Sequence, residues 1–266
     1  MSSAEVALLG AVAGFTIFLG LPLGRLQASI PRLRSLLNAM AVGILVFLLF
    51  DVLEHAWEPI DEAAAEQHAG PALGYGLVLA GGLAVGLLGL IYFDRWIAAR
   101  HARFASETTE GWRSPAGQLA LLIAVGIGLH NLAEGLAIGN SAASGEIALA
   151  VLLIIGFGLH NATEGLGIVA PLTAAGGRRP AWGFLAVLGL IGGGPTFLGT
   201  LVGQRFTSEP VSVAFLALAA GSILYVVIEL LAVGRRLALK DITGWGILLG
   251  LALGFATDAI VVAAGA

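Results

Sequence analysis

The chain alternates between long apolar runs and short polar clusters. A helix needs about 20 apolar residues to cross the hydrocarbon core of a bilayer. Eight stretches meet that length, at 4–24, 35–57, 71–94, 116–140, 145–171, 181–203, 210–233 and 242–264. The second is the least apolar, because Asp51, Glu54, His55 and Glu58 crowd its far end. Polar clusters separate the others, among them Arg25 to Arg34, Arg95 to Arg113 and Arg235 to Asp241. The pattern predicts an all-α polytopic membrane protein, a bundle of eight transmembrane helices in which residues 1–266 form a single transmembrane domain. No basic segment precedes the first run, which therefore reads as a retained span and not as a cleaved leader.

Composition agrees with a lipid solvent. The 266 residues are 58% hydrophobic and 11% charged, where a soluble domain carries about 25% charged residues. The 39 glycines fit helices that approach one another closely in lipid. Cysteine is absent, so neither a disulfide framework nor a thiolate metal site is available. A metal site must draw on His, Asn, Asp, Glu, Met or backbone oxygen. No basic patch points to nucleic acid.

Eight spans put alternate loops on one side. Of the 13 basic residues, all but Arg205 fall in the loops that follow spans one, three, five and seven. The positive-inside rule makes that side cytoplasmic and leaves both termini extracytoplasmic. The expected location is the cell (plasma) membrane, as a multi-pass protein.

Two of the apolar runs carry the same polar residues. Residues 126–139 read GIGLHNLAEGLAIG and residues 156–169 read GFGLHNATEGLGIV, with nine of 14 positions identical. The shared Gly and Leu carry little weight in such a chain. The shared His, Asn and Glu carry much, because polar residues at membrane depth are rare and costly. His130 and Glu134 are one helical turn apart and share a face, as do His160 and Glu164. Asn131 and Asn161 lie beside those faces. The copies sit on consecutive, oppositely directed spans, which gives the bundle inverted-repeat character.

Two imidazoles and two carboxylates suit Zn²⁺ and neighbouring first-row ions. Two carboxylates also offset a dication's charge in low dielectric. Without a thiolate the site is labile, as a transport site must be. Two other uses of the same residues stay open at this point: hydrogen bonding between two helices, and a proton relay.

At these residues the sequence resembles the ZIP (Zrt/Irt-like) family of divalent metal transporters, HNLAEG matching the fourth-helix signature and HNATEG the fifth. The resemblance covers the whole chain. It implies import of a divalent metal toward the cytoplasm, most often zinc, with Fe²⁺, Mn²⁺, Co²⁺ or Cd²⁺ as alternatives. It also implies a homodimer in many members, and movement of one helix group against another. Carried over by position, it places the primary metal site at His130, Glu134, His160 and Glu164. Asn131 and Asn161 fall where many members hold a second metal. Two departures matter. Ala133 and Thr163 stand where many members have Pro, so these helices should run straighter. Gly194, in IGGGPTFLG, stands where related bacterial members carry a Glu of the second site, so one well-formed site is expected and Gly194→Glu is expected to build toward a second.

Further polar positions suggest an access or release pathway. Asp51, Glu54, His55, Glu58 and Glu62 form one helical face at the outer end of the second span. A stripe of this kind concentrates dications, and a solvated helix end explains it equally. Glu229 and Asp258 are isolated acids in apolar spans, with metal release or interhelical hydrogen bonding as alternatives. Five tryptophans near the ends of predicted spans read as interfacial anchors. The chain has no G-x-x-x-x-G-K-[ST] loop, so ATP hydrolysis is not expected. The rival from another class is an intramembrane metal-dependent hydrolase, but the H-E-x-x-H pattern is absent. The chain is therefore read as a non-enzymatic carrier whose partners are a divalent metal ion and the lipid bilayer.

Overall fold

The computed structural model describes residues 1–25, 31–104, 114–174, 179–237 and 239–263, and among these it is helical with no strands. The first span is composite, with α1 (Ser3–Phe15), α2 (Ile17–Gly20) and a 3₁₀ turn (Leu21–Arg25). Then follow α3 (Pro31–Ala65), α4 (Ala69–Phe104), α5 (Pro115–Ala143) and α6 (Ile147–Ala174). The chain closes with α7 (Trp182–Gly203), α8 (Glu209–Leu237) and α9 (Lys240–Ala263).

Seven of these segments are long and apolar enough to cross a membrane. The remaining one, α9, has 24 residues, about 36 Å of helix at 1.5 Å per residue. The helices fall where the apolar runs place them, and two are longer than expected. α3 continues to Ala65 and α4 to Phe104, through residues read as loop. Lipid sets the length of an apolar run, whereas a helix continues into water wherever its residues allow. At 35 residues α3 is about 52 Å long, well beyond a hydrocarbon core of about 30 Å. Its exposed Glu58, Asp61 and Glu62 occupy that overhang. Trp57, Trp96, Trp182 and Trp245 are exposed near helix ends, as interfacial anchors should be. Trp112 lies outside the described residues.

Helix starts are encoded locally. Ser2 and Glu5 form a reciprocal capping box on α1, each side chain meeting the other's backbone N–H. Ser114 caps α5 by accepting from Gly117 N–H at 3.0 Å, with Pro115 in the first turn. The turn between α5 and α6 passes through Gly145 at φ 94°, a conformation that favours glycine.

The helices pack as two groups. One holds α1, α2, α5, α6 and α7, and the other α3, α4, α8 and α9. Close glycine contacts knit each group internally. Along α5 and α7, Gly135 and Gly139 face the carbonyls of Thr196 and Thr200, while Gly199 and Gly203 face those of Leu132 and Leu136. Gly86 and Gly221 meet in the same way between α4 and α8. A side chain at any of these positions would collide with backbone. Between the groups, side chains intervene, as where Leu48 of α3 packs over Gly156 of α6.

Candidate metal centre

Both motifs lie within unbroken helix, as the missing prolines predict. α5 and α6 are antiparallel neighbours and bring their polar faces together. His130, Asn131, Glu134, His160, Asn161 and Glu164 are each at most 3% exposed. His130 Nε2 lies 2.7 Å from Glu164 Oε1 and 3.9 Å from Glu134 Oε1. His160 Nε2 lies 3.3 Å from Glu134 Oε1 and 3.5 Å from Glu164 Oε1. The imidazole rings lie 6.2 Å apart and nearly parallel, at 22°. Phe157, one turn before His160, meets the His160 ring edge-on at 5.8 Å.

These separations suit a small ion. Ligands about 2.0–2.1 Å from a tetrahedral Zn²⁺ stand about 3.3 Å from one another. Ligand atoms of His130, His160 and Glu164 all fall within 4.8 Å of one another, and Glu134 adjoins His160. Apart from those imidazole nitrogens, neither carboxylate oxygen of Glu134 nor Oε1 of Glu164 has a hydrogen-bond partner among the described residues. Buried acceptors are normally satisfied, so these oxygens fit a cation.

The asparagines are held by their amide nitrogens. Asn131 Nδ2 donates to the Gly192 carbonyl at 2.9 Å and to Glu164 Oε2 at 3.4 Å. Asn161 Nδ2 donates to the Ala13 carbonyl at 3.2 Å. Ala13 also accepts from Thr16 Oγ1 at 2.7 Å, where α1 gives way to α2. Each asparagine thereby keeps a buried Oδ1 without a partner among the described residues.

Gly194 departs from the sequence expectation. Gly192, Thr196, Gly199 and Gly203 form the buried face of α7, and Gly194 is about 200° around the helix from Gly192. A Cβ at Gly194 would meet nothing within 4 Å. A glutamate there would point away from α5 and α6. Gly194→Glu therefore does not build toward a second site in this arrangement, because local helix phase decides where a side chain points.

An inner cavity of about 200 Å³ reaches the centre from the side of the basic loops. His130 and Glu164 line its deep end, and Asp94, Tyr225 and Glu229 its outer part. Glu229 thus lines the same cavity as two residues of the centre. Asp94 was missed in the sequence because it sits at the border of span three, where an acid looks merely solvated. On the opposite side, Leu152, Leu153, Leu216 and Ala137 pack together one to three turns beyond the centre.

Further out, a polar cleft of about 400 Å³ is lined by His55, Glu58 and Glu62 of α3, together with Glu146 and Glu209. Asp51 and Glu54 do not line it. Asp51 instead lies within electrostatic reach of Asp258, and His55 Nδ1 is 2.9 Å from the Asp51 carbonyl. Glu54 is exposed. Of the seven pathway residues suggested by sequence, the structure brings His55, Glu58 and Glu62 to the outer cleft and Glu229 to the inner cavity.

The family description "ZIP Zinc transporter" matches residues 105–257. Zinc transporter ZupT of Shigella dysenteriae serotype 1 is 32% identical over 248 residues, covering 91% of both chains. Zinc transporter ZupT of Escherichia coli O7:K1 and of Escherichia coli K12 give the same identity and coverage.

Proposed function

We propose that this chain, which belongs to the ZIP zinc transporter family, carries Zn²⁺ toward the cytoplasm through His130, Glu134, His160 and Glu164. As a member it is a multi-pass membrane protein that transports divalent metal cations. The family is one of transporters, which sets the hydrolase alternative aside. One observation carries the site assignment: two imidazoles and two carboxylates converge in a buried position where the carboxylates' Oε1 atoms meet imidazole nitrogens alone among the described residues.

Zinc is the proposed cargo because curated relatives are named as zinc transporters. Fe²⁺, Mn²⁺, Co²⁺ and Cd²⁺ suit the same donors and are proposed as weaker substrates. Asn131 and Asn161 are proposed to lend their Oδ1 atoms to the ion as it moves. Glu229 receives it on the inner side, while Asp51, Glu54, His55 and Asp258 act on the outer side.

We read this arrangement as inward-facing, because the inner cavity reaches the centre while buried apolar residues lie on the other side of it. Reloading from outside requires the two groups to move relative to one another, as near-rigid bodies bound internally by their glycine contacts. Residues 1–266 act as one transmembrane domain. A second copy of the chain is the proposed partner, seated on α4, where Gly74, Gly81 and Gly89 meet no neighbour. Crosslinking in membranes tests that partner.

The transport reading is tested with purified protein in liposomes under a metal gradient. Saturable Zn²⁺ uptake supports it. If Zn²⁺, Mn²⁺, Fe²⁺ and Cd²⁺ all fail to move, it is wrong.

A further inference from the structure

The outer cleft is built from both helix groups. Glu58 and Glu62 come from α3, and Glu209 begins α8. Glu146 comes from the turn between α5 and α6, in the other group. Among the described residues no lysine or arginine lines the cleft. Four carboxylates therefore face one polar space with no fixed positive charge to balance them.

A second observation points to a ligand. Ser141 lines the same cleft and is 1% exposed, yet its Oγ has no hydrogen-bond partner among the described residues. A buried hydroxyl without a partner is uncommon in a folded protein and fits a bound water or ion. Glu209 is held in place, with the Tyr75 hydroxyl donating to its Oε2 at 2.7 Å. Beside it, Ser212 Oγ of α8 donates to Asn140 Oδ1 of α5 at 2.7 Å, and Asn140 Nδ2 donates to the Phe206 carbonyl at 2.8 Å. The Ser212–Asn140 bond joins the two groups beside the cleft.

We propose that this cleft is a second divalent-cation site, filled by a hydrated ion that bridges the two helix groups and holds the outer side closed. Retained hydration follows from spacing. Among the described residues, no three His, Asp or Glu side chains in the cleft bring ligand atoms within 4.8 Å of one another. The ion therefore keeps most of its water and meets the carboxylates through it, as hard dications do. A volume of about 400 Å³ holds about 13 waters at about 30 Å³ each, enough for an ion and its first hydration shell. Such a site selects charge and not zinc. Occupancy draws Glu146 toward Glu58, Glu62 and Glu209, which opposes the movement that reloads the central site.

The site stands apart from the central His/Glu cluster and is tested without it. Mn²⁺ serves as the probe, because its bound and free forms differ in electron paramagnetic resonance. The chain has no cysteine, so spin labels at Ala64→Cys and Ser144→Cys report the distance across the cleft without background. In full-length protein carrying Glu134→Ala and Glu164→Ala, one Mn²⁺ is expected to bind in the range of about 0.1–1 mM and to shorten the 64–144 distance. Adding Glu146→Gln and Glu209→Gln should weaken that binding at least tenfold and abolish the shortening. In an otherwise native background, the same two glutamines should remove one Mn²⁺ per chain, which covers a central-site variant that fails to fold. Loss of no ion on making the two glutamines overturns the proposal, and an unchanged distance on Mn²⁺ binding overturns the bridging. Equal Zn²⁺ stoichiometry in native and Glu134→Ala, Glu164→Ala protein would instead count against the central site alone.

Discussion

His130 of α5 lies closer to Glu164 of α6 than to the glutamate of its own motif, at 2.7 Å against 3.9 Å. His160 likewise stands slightly nearer Glu134 than Glu164, at 3.3 Å against 3.5 Å. Each motif is thus completed by the other copy. Neither helix alone offers four donors, and the proposed site would share one ion across the antiparallel pair. Two motifs that share one ion fail together.

His160→Ala and Glu164→Ala are each expected to abolish Zn²⁺ uptake into liposomes while size-exclusion behaviour and helicity stay native. Combining His130→Ala with Glu164→Ala should cost little more binding than the more harmful single change, since both remove one interaction. Calorimetric Zn²⁺ titration of the two singles and the double measures this. Strictly additive losses would show that the cross-helix pair does not act as a unit.

Asn131 fixes Glu164 through its amide nitrogen, so Asn131→Ala should weaken Zn²⁺ binding by about 10–100-fold, the usual cost of losing a group that orients a ligand. Folding should survive, because the Gly192 carbonyl loses one partner while the α7 helix remains. Titration with Zn²⁺ reads the loss, and native affinity in Asn131→Ala would exclude the orienting role.

Glu229 lines the same inner cavity as His130 and Glu164. Glu229→Gln is expected to lower the rate of uptake at saturating Zn²⁺ several-fold while equilibrium binding at the centre is unchanged. Stopped-flow uptake beside calorimetry separates the two. A change in binding alone would place Glu229 in the site and not on the route from it.

Two glycines of the first helix group should respond oppositely to a methyl-bearing side chain. A Cβ at Gly139 would collide with the Thr200 carbonyl, and Gly139→Val should destabilise the protein by at least about 1–3 kcal/mol through overpacking. A Cβ at Gly194 meets nothing within 4 Å, and Gly194→Ala should be neutral or stabilise by up to about 1 kcal/mol through helix propensity. Thermal unfolding in detergent compares them. Gly194→Glu should leave the number of bound Zn²⁺ ions unchanged, as read by anomalous scattering.

Much of this was legible in the chain itself. The eight apolar runs mark the spans because lipid tolerates neither charge nor unpaired backbone, and the basic residues give their orientation. His130, Glu134, His160 and Glu164 stand out because such residues are costly at membrane depth. Asp94, Glu146 and Glu209 were not legible as lining residues. They sit at the borders of the apolar runs, where an acid costs little, and only their placement on one cavity or cleft gives them meaning.

The sequence by itself determined the spans, their direction and the identity of the polar residues in the paired motifs, since each follows from local transfer energies and a fixed helical period. Only the tertiary structure decided which histidine meets which glutamate, that Gly194 faces outward, and which side of the centre is open. Those depend on the rotation and contact of helices distant in sequence, which close glycine packing sets and no local pattern records.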